Sequence, residues 1–375
     1  MKIGNLIKQP TGYKAFIPLE FPPPGGFGFT SKLINKASQA TLSLGRLDGV
    51  TQLLPNVDFF LYMYICKDAA SSSQIEGTRA TMIDAIEAAS KTSDTLPEDV
   101  DDIIHYIDSV NYGINRMKDF PLSLRLIKET HKTLMTGARS THSADPGHFR
   151  QTQNWIGGSN INNAIFVPPP VEDMKHSMGE LEKFIHNDDH ILPALKSGII
   201  HGQFETIHPF LDGNGRTGRL LITLYLMDKK LLDYPVLFLS NYFKKHQQLY
   251  YQCLNGYHHG QIELWLNFFL DGIIETVDEA ITTAKKITQI REEDSKKMHA
   301  LGKTAAKTSI EVLINLYKLP IVNVNKIKDW TGFTRQGAQK VIDRFVDLEI
   351  LKQKDESKSY GRSFIYKRYV DIFNE

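Results

Sequence analysis

Cysteine is nearly absent. In 375 residues only Cys66 and Cys253 carry a thiol, which excludes a disulfide framework and suits a reducing compartment. An excess of charge of one sign is missing too. Lys and Arg number 44 against 43 Asp and Glu, so bulk electrostatic attraction to nucleic acid or an anionic membrane is not implied. No apolar run approaches the ~20 residues of a membrane span, and the first eight residues, Met1-Lys-Ile-Gly-Asn-Leu-Ile-Lys8, lack the apolar stretch of a secretory signal. The expectation is a cytoplasmic protein with no membrane contact. Metal-ligand spacing is lacking as well: His201 and His208 stand seven apart and His258 and His259 are adjacent, neither being the spacing of HExxH. His201 reads instead as a packed helix histidine satisfied by a neighbour. The length nevertheless allows two or three domains and a large core.

What is present is concentrated in His208-Pro-Phe-Leu-Asp-Gly-Asn-Gly-Arg-Thr-Gly-Arg219. Pro209 disfavours the α region for His208, so the helix bearing Ile200, Phe204 and Ile207 on one face should stop there. Leu220, Leu221 and Leu224 resume a helical pattern, so Gly213-Asn214-Gly215 opens a second helix. Its unpaired N–H groups and positive dipole end make an anion site. Arg216 and Arg219 share a helix face and can reach one phosphate chain. Asp212 suits Mg²⁺, which one or two carboxylates hold together with substrate phosphates. Asn214 can donate to a phosphoryl oxygen, and His208, with a reference pKa near ~6.5, can act as a general base. Phe210 points the other way and anchors the loop in the core. Gly213-x-Gly215-x-x-Gly218 also satisfies the dinucleotide fingerprint, but a helix and a His-Pro loop precede it where a strand is required. Gly213-x₄-Gly218 is followed by Arg219-Leu220, which is not a P-loop.

The stretch resembles the Fic signature, HxFx(D/E)GNGRxxR, at every fixed position. Pro146-Gly-His-Phe-Arg150, Asn154-Trp-Ile-Gly-Gly158 and Phe166-Val-Pro-Pro-Pro170 are similar to segments that precede the motif in that family, and Ser240 to Leu254, with Tyr242 and Tyr250-Tyr251, to the segment that follows. The resemblance runs from about residue 15 to about 285. It implies an all-α core and transfer of AMP from ATP to a protein Ser, Thr or Tyr hydroxyl, with Mg²⁺ required. In those terms His208 would deprotonate the acceptor, with Asn214 and Arg216 completing the catalytic set, and Asp212 would hold Mg²⁺. Gly213, Asn214, Gly215, Arg216, Thr217 and Gly218 would form the nucleotide-binding stretch, and Arg219 would grip the γ-phosphate. Tyr250 would lie near the adenosine; on pattern alone it reads equally as a packed helix tyrosine.

Ser72-Ser-Gln-Ile-Glu76-Gly77 is similar to the family's inhibitory pattern, (Ser/Thr)xxxGlu(Gly/Asn). Ser72 and Glu76 fall on one helix face, and Gly77 allows close approach to another backbone. The resemblance implies that Glu76 pairs with Arg219, displaces the γ-phosphate and inhibits the chain from within. Two other readings stay open: a solvated glutamate beside a helix-ending glycine, and a carboxylate that positions water to remove AMP.

The remaining segments set the architecture. Residues 1–95 read as an extended arm followed by helices carrying the inhibitory motif, and Thr95-Leu-Pro-Glu-Asp99 has the turn and capping composition that begins the core. Residues 96–285 read as the catalytic core. Within it Asn162-Asn163 and Ala164 to Pro170 suggest a short β-hairpin flap ending in polyproline conformation. In the family such a flap holds the target as an added strand around Ala164–Pro168, and the chain itself is a further candidate target. From about 262 a long helix carries Phe269, Ile273, Val277, Ala280, Ala284 and Ile287 on one stripe, to pack on the chain's own helices or form a homodimer seam. Residues 286–308 read as a charged linker or helix. Residues 309–375 read as three helices and two strands, resembling a winged helix-turn-helix whose Arg335, Gln336, Gln339 and Lys340 would face DNA or a protein partner. The alternatives to an AMP transferase are a de-AMPylase and a nucleotide-sensing DNA-binding regulator; an intact His208 favours the enzyme.

Overall fold

Helices make up most of the chain because its apolar residues recur at helical spacing almost throughout. The structure is a computed structural model that describes residues 2–373 apart from 53, 55–56, 94 and 139–143. The first element departs from the expected arm. Strands β1 (Gly4–Lys8) and β2 (Lys14–Pro18) form an antiparallel hairpin with Leu6 opposite Phe16. Its turn closes through Gly12 N–H to Gln9 O, and Gly12 takes φ +101°, a conformation that favours glycine. The Phe16 N–H donates to Val167 O at 2.9 Å, so the hairpin lies along the segment read as the flap.

Three helices follow: α1 (Ser31–Gln52), α2 (Asp58–Ile75) and α3 (Met82–Ser90). Thr81 and Asp84 close a capping box at the start of α3. The core helices are α4 (Val100–Arg116), α5 (Leu124–Met135), α6 (Val171–His186), α7 (Pro193–Ile207), α8 (Asn214–Asp228), α9 (Ser240–Lys245), α10 (Gln247–His258) and α11 (Ile262–His299). Asp99 does not cap α4 with its side chain, contrary to its expected role. Its carboxylate instead accepts from the Arg79 and Ala80 N–H groups, at 2.6 and 3.1 Å, and ties down the chain that leaves α2. Helix α7 is buried on every side, as a helix at the centre of a core must be. A β-carbon on its Gly198 would press on Phe269 and one on Gly202 on Trp265, so the two glycines let α11 pack close.

The stripe Phe269 to Ile287 is buried, and α11 packs along its length against α1, whose Leu33, Ala37, Ala40, Leu44 and Leu47 are fully buried. The stripe is thus used within the chain. The charged stretch expected to link two units is no break in the helix: α11 continues to His299. There Asp294, fully buried, accepts from Tyr366 and from Arg368, and Lys297 Nζ donates to Leu348 O at 2.8 Å. These bonds seat a C-terminal unit of α12 (Lys303–Lys318), β3 (Ile321–Asn323), α13 (Val324–Thr331), α14 (Arg335–Asp347), β4 (Lys352–Gln353), β5 (Ser363–Ile365) and α15 (Lys367–Asp371). The strands pair antiparallel in the order β3-β5-β4, one strand more than expected. The same unit rests on α2 and α3. Phe373 packs edge-on to Tyr64 at 5.5 Å, Lys318 approaches Asp58 at 3.5 Å, and Lys354 pairs with buried Glu87. Among the described residues no helix is long and apolar enough to cross a membrane.

Candidate active site

Helix α7 ends at Ile207, one residue before Pro209, and His208 follows at φ 49° and ψ 61°. The stop falls where proline requires it, but His208 adopts the left-handed region and not the extended one. That conformation costs a non-glycine residue about 1 kcal/mol, and the surrounding bonds offset it. The buried Arg150 guanidinium donates to His208 O at 3.0 Å, to Thr152 O at 3.2 Å and to Pro169 O, while its N–H donates to Pro209 O at 2.9 Å. Asn154 Nδ2 donates to Phe210 O at 2.9 Å. Behind the loop, buried Phe210 stacks on His131 at 3.6 Å, and His131 spans Asp212 O at 2.9 Å and the Gly147 N–H at 2.9 Å. A carbonyl only accepts and an N–H only donates, so His131 carries its proton on Nε2. Burial holds its pKa down to about 4.

The same logic fixes the tautomer of His208. Nδ1 lies 3.3 Å from Glu205 O, which can only accept, so Nδ1 holds the proton and Nε2 keeps its lone pair. Burial pushes the ring's pKa down to about 4, while its side chain retains 19% exposure. His208 is therefore a neutral imidazole at pH 7 with a free basic nitrogen.

The glycines have separate duties. Gly213 stands at φ +77° before α8, where a β-carbon would meet Met135 Sδ at 2.7 Å. A β-carbon on Gly215 would collide with the Glu76 carboxylate, and one on Gly218 with Glu205. Thr217 is buried, and its hydroxyl has no hydrogen-bond partner among the described residues. The Asn214 amide is committed at both ends, Oδ1 accepting from Phe210 N at 2.8 Å and Nδ2 donating to Phe210 O at 2.9 Å. Both ends of the amide thus hold the loop. Arg216 is buried toward α4 and α5, 3.8 Å from Asp102 and with Nη2 on Met135 Sδ, away from the guanidinium of Arg219. Asp212 is exposed and its Oδ1 accepts from Gly213 N at 2.6 Å.

Arg219 is the charge centre. Its side chain is 2% exposed and reaches α2: Nε donates to Ser72 Oγ at 2.9 Å, and Nη2 to Ser72 O at 3.0 Å and to Glu76 Oε1 at 2.7 Å. Glu76 thus lays a carboxylate over the first turn of α8, between an arginine and the positive end of a helix dipole. Asp68, one turn before Ser72 on α2, accepts from Tyr106 at 2.8 Å and from Ser240 N at 3.1 Å beneath this pair. Gly77 takes φ +94°, and a β-carbon there would meet nothing within 4 Å. Left-handed backbone after a helix, and not close approach, is what calls for glycine at this position.

His208, Glu205, Gly215, Arg219 and Glu76 line one cavity of about 510 Å³ with Trp155, Ile165, Phe166, Tyr251, Leu254 and His258. Tyr250 closes its floor: it is 2% exposed, bonded to His201 Nε2 at 2.9 Å and stacked on Phe243 at 4.5 Å. The more open aromatic is Tyr251, 47% exposed. His258 stacks on Phe166 at 3.7 Å across the cavity mouth. The flap is a hairpin with a single antiparallel bridge, Ile156 to Phe166, and a 3₁₀ turn at Ile161–Asn163. Beside the bridge Ile165 is 74% exposed. Asp68 and Glu205 carry no mark in the sequence reading, and Arg150 and Tyr251 enter it only as members of matched segments, with no role assigned. Asp68 and Glu205 each sit about one helical turn from a residue that is marked there, and that spacing is the signal that could have found them.

No cluster of three His, Cys, Asp or Glu side chains able to hold a metal exists among the described residues. An exposed carboxylate beside a helix N-terminus, Asp212, fits a cation whose remaining ligands would be substrate phosphates and water.

Fold and site together define a helical protein whose cavity sets a helix N-terminus and a buried arginine beside a neutral histidine. The Fic/DOC family model matches residues 121–226 and the Fic/DOC N-terminal model residues 34–115, together half of the chain. The chain belongs to the Fic/DOC family. It is 29% identical over 171 residues to "Protein adenylyltransferase Fic" of Culex quinquefasciatus, with the same identity over the same length to that of Aedes aegypti. Each match takes in 45% of this chain and 31% of the relative, so the chain matches about a third of the length of these curated relatives. Among solved structures, a Fic family protein from Desulfovibrio desulfuricans G20 covers 90% of this chain and 96% of its own at 20% identity and a TM-score of 0.58. C. elegans Fic-1 covers 68% and 73% at 17% identity and 0.52. Both show the fold.

Proposed function

We propose that the chain transfers AMP from ATP to a hydroxyl of a protein Ser, Thr or Tyr, and that Glu76 inhibits it from within. The observation that supports this most directly is one cavity holding both the free Nε2 of His208 and an arginine whose phosphate-like partner is Glu76. Arg219 and the first turn of α8 receive the terminal phosphates once Glu76 withdraws, which turns the α-phosphorus so that the acceptor oxygen attacks it opposite the leaving pyrophosphate. His208 Nε2 takes the acceptor's proton as the oxygen attacks. Tyr251, Leu254 and His258 offer apolar and stacking surface for a base. Asp212 would hold Mg²⁺, which when bound neutralises phosphate charge and steadies the leaving group. The exposed edge at Ile165 presents main chain to which a target segment adds as a strand.

Incorporation of α-labelled ATP into protein tests the reading, comparing parent, Glu76→Gly and Glu76→Gly/His208→Ala. Label with Glu76→Gly that the second substitution abolishes is the expected result. No label in any of the three, despite ATP·Mg²⁺ binding, would refute transfer. Release of AMP from a modified protein, dependent on Glu76, would instead favour the reverse reaction, for which a carboxylate 39% exposed at the cavity mouth can position water. The C-terminal unit, read as a winged helix, would serve as a docking module for DNA or protein.

A further inference from the structure

Glu205 occupies the wall of the same cavity as His208 and Arg219, one turn before His208 on α7. It is buried, yet Oε1 has no hydrogen-bond partner among the described residues. Native structures rarely leave a buried carboxyl oxygen unsatisfied, and such a group calls for an explanation. Arg219, the nearest cation, is bound by Ser72 and Glu76 and makes no hydrogen bond to Glu205. Gly218 of the motif is what gives the carboxyl its space, since a β-carbon there would strike Oε1. The other oxygen, Oε2, lies 3.9 Å from His208 Nδ1, whose present bond to the Glu205 carbonyl is long at 3.3 Å. A carboxylate beside the protonated nitrogen of a base whose other nitrogen faces the reacting centre is the arrangement that steadies an imidazolium.

We propose that Glu205 is the positioning residue of His208, its ionised carboxylate taking up the Nδ1–H bond as the ring becomes imidazolium. The inference rests on His208 being the base of the proposed transfer. In that step the acceptor O–H bond breaks and its proton passes to Nε2. The acceptor oxygen bonds to the α-phosphorus, and the bond from that phosphorus to the bridging oxygen breaks. Pyrophosphate leaves with the electron pair, and nothing is oxidised or reduced. Glu205 adds no bond to the reacting atoms; it orients the ring and offsets the charge that appears on it.

Charged and titratable groups facing the pair are Arg219 from α8, Glu76 from α2, Arg150 and Asp212 beside His208, and Tyr250 and His258 from α10. Burial raises the Glu205 pKa to about 8, with Arg219 opposing the rise and Glu76 adding to it. Withdrawing Glu76 therefore lets Glu205 ionise at lower pH, so the same movement that frees Arg219 also readies the base.

The test compares Glu76→Gly with Glu76→Gly/Glu205→Gln. Nitrogen shifts of the His208 ring, followed by NMR as pH rises from 5 to 9, need no acceptor protein. They should move through the Glu205 titration in Glu76→Gly and lose that step in the double variant. Identical curves overturn the proposal. With α-labelled ATP and the protein's own hydroxyls as acceptor, kcat of Glu76→Gly should rise through the same titration. The double variant should lose that rise and at least tenfold in kcat, with the KM for ATP changed less than twofold. An unchanged kcat–pH profile, or a loss carried in KM alone, also overturns it. If the NMR coupling is present but Glu76→Gly transfers no label, the proposed transfer fails while the placement of Glu205 stands.

Discussion

Replacing Glu76 by glycine deletes a carboxylate that lies on Arg219 and over the N-terminus of α8, and the size of the effect can be worked out. A charge-assisted hydrogen bond contributes roughly 1.5–3 kcal/mol. Glu76 is 39% exposed and Arg219 2%, so solvent screening on the glutamate side trims this to about 1–2 kcal/mol. At about 1.4 kcal/mol per decade, withdrawal of the competitor raises productive nucleotide binding roughly 5- to 30-fold. Arg219 is not left bare in the variant, because Ser72 Oγ and O still accept from it. The added glycine beside Gly77 frays only the end of α2, so the fold should survive. The gain should appear in kcat, because Glu76 contests the far end of the triphosphate and leaves the base pocket open. Transfer of label at saturating ATP measures it, with Glu76→Gln falling between parent and Glu76→Gly. Equal kcat for parent and Glu76→Gly, with both binding ATP, would refute the reasoning.

Three further outcomes follow from the same geometry. Arg150→Ala removes donors to three carbonyls around the motif and should cost about 3–5 kcal/mol of stability, the penalty typical of breaking a buried charged network, read from urea midpoints; a loss under 1 kcal/mol would remove its assigned role. Gly218→Ala should lower transfer at least tenfold in the Glu76→Gly background by driving Glu205 off its seat, while Gly25→Ala, in open space at φ +83°, should affect stability alone. His131 and His201, held down by burial to about 4 and about 3, bind protons in the unfolded chain near pH 6 that they do not bind when folded. Stability should therefore fall as pH drops from about 6.5 toward 4, by up to ~1 kcal/mol per pH unit for each histidine, and His201→Asn should flatten that slope in pH-dependent urea titrations.

Sequence spacing carried the motif helices and the stop at His208, because proline and the leucine periodicity act locally. It carried the long stripe of α11, but not its partner: that Phe269 to Ile287 meet α1 depends on residues more than 200 positions away. The β1–β2 hairpin escaped because its two five-residue strands are stabilised by lying on Val167, although Gln9-Pro-Thr-Gly12 between two β-prone runs is a turn signal. The duty of Asn214 was unreadable for a related reason. Its amide is equally suited to a phosphate and to the Phe210 backbone, and only the folded loop decides between them. Spacing alone puts Arg216 and Arg219, three apart on one helix, within reach of one phosphate chain, and only the resemblance gives them separate duties; in the fold Arg216 turns to Asp102 and Met135 and Arg219 to Glu76. The charged run 286–308 read as a linker or a helix, and local signals could not choose between them, because nothing local announces that Asp294 will be buried by Tyr366 and Arg368.

The glutamate that covers Arg219 belongs to the same molecule, and the inhibition proposed for it is therefore a matter of effective concentration. A carboxylate tethered on α2 is presented to its site at a level that dilution cannot lower, so the proposed inhibition would be independent of how much protein is present. What can alter it is movement of α2 itself, and the other side of that helix bears the ring of Tyr64 on Phe373 and, through Asp58, the end of α12. Linkage is reciprocal: whatever affinity a ligand of the C-terminal unit gains by shifting α2, the nucleotide gains by the same factor. Measuring ATP binding with and without Phe373→Ala reads how far this one contact is coupled to the nucleotide site, and an unchanged affinity would mean that the Tyr64–Phe373 contact carries none of that coupling.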